Sequence, residues 1–89
     1  MDEKANLLPK SEKLAEDSNI PLYHQLKNII KAQIIGGVVQ PGDKIPSESE
    51  LGERYGVSRI TVRQAINSLV QEGYLYRKQG VGTFVSSPK

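Results

Sequence analysis

Ser47-Glu48-Ser49-Glu50-Leu51, running on to Gly56-Val57-Ser58-Arg59-Ile60-Thr61-Val62-Arg63 and answered downstream by Gly80-Val81-Gly82-Thr83-Phe84-Val85, decides the fold. Ser47 and Glu50 have the spacing of a capping box: the serine hydroxyl accepts from the Glu50 amide while the glutamate reaches back to the Ser47 amide. A helix therefore starts at Ser47, passes through Leu51 and Tyr55, and ends at Gly56. Ser58 caps the next helix, and Val57 just before it is placed to staple onto Val62. Val62, Ala65, Ile66, Leu69 and Val70 then recur at three- and four-residue steps as one apolar stripe, and Gly73 closes the helix. Two helices around the turn Gly56-Val57-Ser58 read as a helix-turn-helix, and the glycine-rich hairpin beyond them as its wing.

Outward from this stretch the pattern stays consistent. Upstream, Pro21 suits a first helical turn and Gly36-Gly37 suits a left-handed stop, which bounds a first helix. Leu22, Leu26, Ile29, Ile30 and Ile34 give it one apolar face, with Lys27 and Lys31 outside it. Pro41-Gly42 is a turn pair, and Asp43-Lys44-Ile45 reads as a short strand pairing with the later hairpin, which predicts three strands. Downstream, Tyr74-Leu75-Tyr76-Arg77-Lys78 alternates as a strand, Gln79-Gly80-Val81-Gly82 supplies the turn, and Thr83-Phe84-Val85 returns antiparallel. Leu75, Phe84, Tyr74 and Tyr76 read as packing groups rather than base-stacking ones. The expected fold class is α+β, mainly α: a three-helix core with a small antiparallel wing over residues 20–86. Residues 1–19 are polar, mixed in charge and broken by Pro9, so we expect a disordered tail, with room for a short helix from Ser11 to Asp17. Residues 87–89 read as the start of a linker to an absent effector-binding domain.

Composition narrows the function. With 89 residues the chain suffices for one small domain. It has no cysteine and one histidine, which excludes disulfides and thiolate metal sites and leaves little for catalysis, so no cofactor, metal or enzymatic activity is expected. His24 reads as a rim residue. No apolar run approaches the length of a membrane span, and Met1-Asp2-Glu3-Lys4 is unlike a signal peptide, which points to a cytoplasmic protein.

The net charge is only +2, but its distribution is uneven. Residues 59–89 carry five bases against Glu72 alone, while residues 21–58 balance at four each. A basic cluster confined to the third helix and wing is what phosphate neutralisation on a duplex requires. Arg59 and Arg63 lie one helical turn apart near the helix start, where a recognition helix meets base edges, and arginine is the side chain shaped for guanine O6 and N7. Thr61 could bond a phosphate, Ile60 could meet a thymine methyl, and the amides after Ser58 offer an anion site. Arg77 and Lys78 suit backbone phosphates, and Gln79 and Gly80 at the wing tip could approach a minor groove.

These residues resemble the GntR family of bacterial transcription regulators. The resemblance covers about residues 20–86 through Pro21-Leu22-Tyr23, Pro41-Gly42, Pro46-Ser47-Glu48, Gly56-Val57-Ser58-Arg59, Thr61-Val62-Arg63, Glu72-Gly73 and Gly80-Val81-Gly82-Thr83-Phe84-Val85. It implies that Ser47, Ser58, Arg59, Thr61, Arg63 and Gly80 contact palindromic operator DNA. It departs at Ser49, where many members carry an arginine that helps read bases; Ser49 itself stays a candidate contact. The opening Pro-Leu-Tyr and the wing look most like the branch that includes the histidine-utilisation repressor, which implies a homodimeric repressor controlled by a small metabolite through a further C-terminal domain. The isolated fragment is then expected to be a monomer. A winged helix that binds only protein would have little use for the paired arginines, and an enzyme would need a pocket of acid, base or nucleophile that this chain does not supply.

Overall fold

The computed structural model describes residues 19–87, so the expectations for residues 1–18 and for the last two residues lie outside the described residues. Three helices come first, α1 Leu22–Ile35, α2 Glu48–Tyr55 and α3 Arg59–Gln71, followed by the strands β1 Leu75–Lys78 and β2 Gly82–Val85. They form a winged helix-turn-helix.

Each helix boundary follows from local chemistry. Pro21 stands just before α1 rather than in it, with φ −56° and ψ 147°. The helix ends in a Schellman arrangement: Gly37 is left-handed at φ 82°, its amide reaches the Ile34 carbonyl, and the Val38 amide reaches Gln33. The capping box of α2 is complete, the Glu50 amide donating to Ser47 Oγ at 3.1 Å and the Ser47 amide to Glu50 Oε1 at 3.0 Å. Gly56 ends α2 in the left-handed region at φ 70°, which a side chain would resist and which turns the chain at once toward α3. Ser58 Oγ accepts from the Thr61 amide at 3.1 Å to start α3. The same Schellman pattern closes α3, with the Gly73 amide on Val70 and the Tyr74 amide on Leu69.

Leu26 and Ile30 of α1, Leu51 and Tyr55 of α2, and Val62, Ala65, Ile66 and Leu69 of α3 meet in one core, which Leu75 and Val85 close at the base of the sheet. At about 1.5–3 kcal/mol for each large apolar side chain removed from water, this cluster is the main favourable term for so small a domain. Val39 and Ile45, in the connection between α1 and α2, are also buried. Ile29, Ile34 and Val70 pack only partly against the core.

The sheet corrects two expectations. It has two strands, in the register Leu75↔Val85, Tyr76↔Phe84, Arg77↔Thr83 and Lys78↔Gly82, and the Asp43-Lys44-Ile45 segment contributes a single bridge, Lys44↔Phe84, instead of a third strand. Its hydrogen bonds are regular where they exist, Val85 amide to Asp43 carbonyl at 2.9 Å and Ile45 amide to Thr83 carbonyl at 3.0 Å. Pro46, which has no amide proton, stops the pairing one residue later. Nor does β1 alternate: Leu75 is buried and Tyr76, Arg77 and Lys78 are all exposed. Beyond Leu75 the hairpin leaves the helical layer, so both of its faces meet solvent.

Candidate nucleic-acid interface

Ser58 places the start of α3 at the surface. Arg59, Ile60 and Arg63 are exposed there, Ile60 by 68%, and Thr61 is half-buried. Val62, Ala65, Ile66 and Leu69 anchor the opposite side of the helix in the core, so its outward side is held rigidly. Ser58 Oγ also donates to Thr61 Oγ1 at 3.0 Å, which leaves the Thr61 hydroxyl proton to donate outward. Arg59 lines a shallow notch with Ser49, Gly52, Glu53 and Val57, so Ser49 on α2 and Arg59 on α3 share one surface across the helix-turn-helix.

The wing lies against the same side. The Val81 amide bonds to the Lys78 carbonyl at 2.9 Å and Gly80 has φ 78°, the geometry of a type II turn, which puts Gln79 and Gly80 at the exposed tip. Tyr76 and Phe84 stack across the strands with centroids 5.6 Å apart, and Lys78 Nζ lies 6.0 Å from the Phe84 ring. The sheet residues read as packing groups thus divide: Leu75 is core, while Tyr76 and Phe84 stiffen the wing. At the start of β2, next to the turn, the methylene stem of Lys44 runs so close to Gly82 that an added Cβ would stand 2.6 Å from it.

One acid joins these elements, and sequence reasoning missed it. Glu48, the first residue of α2, accepts through Oε1 from Arg63 Nη2 at 3.1 Å and Nε at 3.3 Å. Its Oε2 stands 3.6 Å from Arg77 Nη2 on β1. One carboxylate therefore ties the candidate reading helix to the wing, and it brings Arg63 and Arg77 together. Ser47, by contrast, uses its amide and one Oγ lone pair on the capping box and keeps its hydroxyl proton to donate outward. The only clue to Glu48 in the sequence was an acid lying outside the capping pair at the first turn of a helix.

Glu72, the acid nearest the basic cluster in sequence, faces elsewhere. Its carboxylate bonds Lys27 Nζ of α1 at 2.7 Å and lies 3.5 Å from Lys31 Nζ. The hydrogen bond from Lys27 is the main reason its pKa falls below the usual carboxylate range, opposed by some desolvation. Lys27, expected outside the apolar face, has only 13% of its side chain exposed because this clasp lays it along α3. Among the described residues no group of histidines and acids could hold a metal ion, and no helix is long and apolar enough to cross a membrane.

Residues 22–85 match the family described as bacterial regulatory proteins, gntR family. The chain is 59% identical over 76 residues to the uncharacterized HTH-type transcriptional regulator YurK of Bacillus subtilis (strain 168), across 85% of this chain and 31% of that protein. It is 49% identical over 69 residues to the histidine utilization repressor of Klebsiella aerogenes, across 78% of this chain and 29% of that one. Among solved structures, AraR(DBD) in complex with operator ORE1 is similar at a TM-score of 0.77 and 44% identity, over 84% of this chain and 98% of its own. The chain thus spans just under a third of the length of these curated relatives.

Proposed function

Since the chain belongs to the gntR family of bacterial regulatory proteins, we propose that residues 20–86 hold palindromic operator DNA with α3 in the major groove and the wing on the adjacent backbone. The observation that carries this reading is the shared basic side: Arg63 and Arg77 converge on one carboxylate while Arg59 stands one turn back along α3. Arg59 and Arg63 read base edges, Ile60 meets a thymine methyl, and the Ser47, Ser49 and Thr61 hydroxyls, with the backbone amides of Ser58 and the first turn of α3, bond phosphates. Arg77 and Lys78 neutralise backbone phosphates, and Gln79 and Gly80 enter the minor groove at the wing tip. The operator complex of AraR(DBD) and the repressor named among the relatives support the same use of this domain.

For the whole protein, the reading is a cytoplasmic repressor that dimerises and answers to a small metabolite through a domain following residue 87. That this chain covers just under a third of such relatives supports the further domain, and the histidine utilization repressor among them supports the repressor reading. Titration of the 89-residue chain on operators selected from genomic fragments, against scrambled duplex at two salt concentrations, tests the DNA reading. Discrimination of about 10³-fold or more with affinity falling steeply in salt is expected. Equal affinity for both duplexes would overturn it.

A further inference from the structure

The Glu48 carboxylate occupies a place that electrostatics alone disfavours. It sits in the middle of the face that should meet phosphates, where an uncompensated acid would repel them. Two geometric facts give it a use. First, Oε1 takes the Nε and Nη2 protons from one edge of the Arg63 guanidinium. A guanidinium has five donors in a planar fork, so the end formed by Nη1 and the second Nη2 proton stays available as a complete bidentate pair. Second, Oε2 lies 3.6 Å from Arg77, so the carboxylate also offsets part of the wing's charge. The trio of Glu48, Arg63 and Arg77 carries a net charge of about +1 in place of +2.

Resting on the DNA-binding reading above, we infer that Glu48 is a positioning residue for base discrimination: it holds Arg63 by one edge so that the other edge meets guanine O6 and N7, and it restrains Arg77 from indiscriminate phosphate attraction. An arginine held in this way has already lost much of its rotamer freedom, so less is lost when it meets the correct base. An arginine released from the acid can swing to any phosphate. Glu48 thus raises the ratio of cognate to non-cognate affinity rather than affinity as such. The capped first turn of α2 supports this role, because the Ser47 cap fixes the backbone from which Glu48 reaches.

The test is a titration of wild type, Glu48→Gln and Glu48→Asp on the selected operator and on scrambled duplex across a salt series. Glu48→Gln removes the charge at nearly constant shape. It is expected to bind scrambled duplex about 3–10-fold more tightly, to steepen the salt slope by up to about one unit because the carboxylate no longer offsets the charge that Arg77 brings to its phosphate, and to cut the cognate ratio at least 5-fold. Glu48→Asp keeps the charge but falls one methylene short of Arg63, and is expected to lose cognate affinity without gaining on scrambled duplex. Misfolding can only weaken binding, so tighter scrambled-duplex binding by Glu48→Gln separates positioning from a structural defect. An unchanged ratio and slope in Glu48→Gln, with Arg63→Ala still abolishing discrimination, would overturn the inference and leave the DNA reading standing. If wild type itself fails to discriminate, the DNA reading falls first.

Discussion

Arg63 and Lys78 carry the same charge, yet they are held differently. Arg63 is fixed at one edge by Glu48 and keeps a second two-donor edge, whereas Lys78 is a flexible point charge whose ammonium lies 6.0 Å from the Phe84 ring. A fork reads bases; a point charge neutralises phosphate. Arg63→Ala and Arg59→Ala are therefore expected each to cost about 1–3 kcal/mol on the preferred operator and to flatten its preference over mutated sites. Lys78→Ala is expected to weaken all sequences by a similar factor and to lower the salt slope by about one unit. Fluorescence titration of the three variants on operator and scrambled duplex checks both statements. Altered base preference in Lys78→Ala with intact preference in Arg63→Ala would reverse the assignment of reader and clamp.

Between the two helices of the motif, packing is closest at Gly52. A Cβ there would stand 2.9 Å from the Val57 carbonyl oxygen, a backbone atom of the turn, and 3.9 Å from Val62 Cγ2. The Gly52 carbonyl also accepts from both the Gly56 and Val57 amides. Gly52→Ala must therefore shift the turn that sets the angle of α3, despite alanine's better helix propensity, which is worth about 1 kcal/mol. Net destabilisation of about 1–3 kcal/mol is expected in urea unfolding, with weaker operator binding in the surviving folded fraction; a more stable variant would show that the turn tolerates the shift. The sequence carried the caps Ser47 and Ser58, the stops at Gly56 and Gly73 and the α3 stripe, because each depends on residues within a turn or two of one another. It did not reveal Gly52's packing, the burial of Val39, or the Glu48 and Glu72 ion pairs, because those depend on how elements meet. Arg63 lies 15 residues from Glu48 and Lys27 lies 45 from Glu72. The five-residue α1 face was legible as a stripe, but only Leu26 and Ile30 are fully covered, because a domain of this size has few elements to cover it. The third strand failed at Pro46, whose missing amide proton ends the pairing that Asp43 and Ile45 begin.

Across the whole molecule, the acids of the Lys27–Glu72 clasp and of the α2 capping box link stability to pH. The hydrogen bond from Lys27 chiefly lowers the pKa of Glu72, and the hydrogen bond from the Ser47 amide that of Glu50. A folded value below the unfolded one stabilises the fold at pH above the ordinary carboxylate range, and that contribution disappears as pH falls through the lowered value. The melting temperatures of wild type and Glu72→Gln should therefore differ near neutral pH and converge once the pH has fallen below the lowered Glu72 value; a constant gap would mean that the clasp acts through shape alone. Association belongs to the same scale. A stable pair needs about 1,200–2,000 Å² of buried surface with an apolar centre. Among the described residues, the exposed large apolar side chains are instead spread over the entry to α1 (Ile20), its C-terminal turn (Ile35, Val38), the start of α3 (Ile60) and the wing (Tyr76, Val81). Those on α3 and the wing belong to the proposed DNA face, which leaves too little for a partner. The 89-residue chain is expected to sediment as a monomer at micromolar concentration, and two copies to assemble on a palindromic duplex whose half-sites lie about one helical turn apart. Inserting half a turn between the half-sites should abolish any cooperativity while leaving the affinity for a single half-site unchanged. A stable dimer in the absence of DNA would place an interface on this domain that the distribution of its apolar surface does not support.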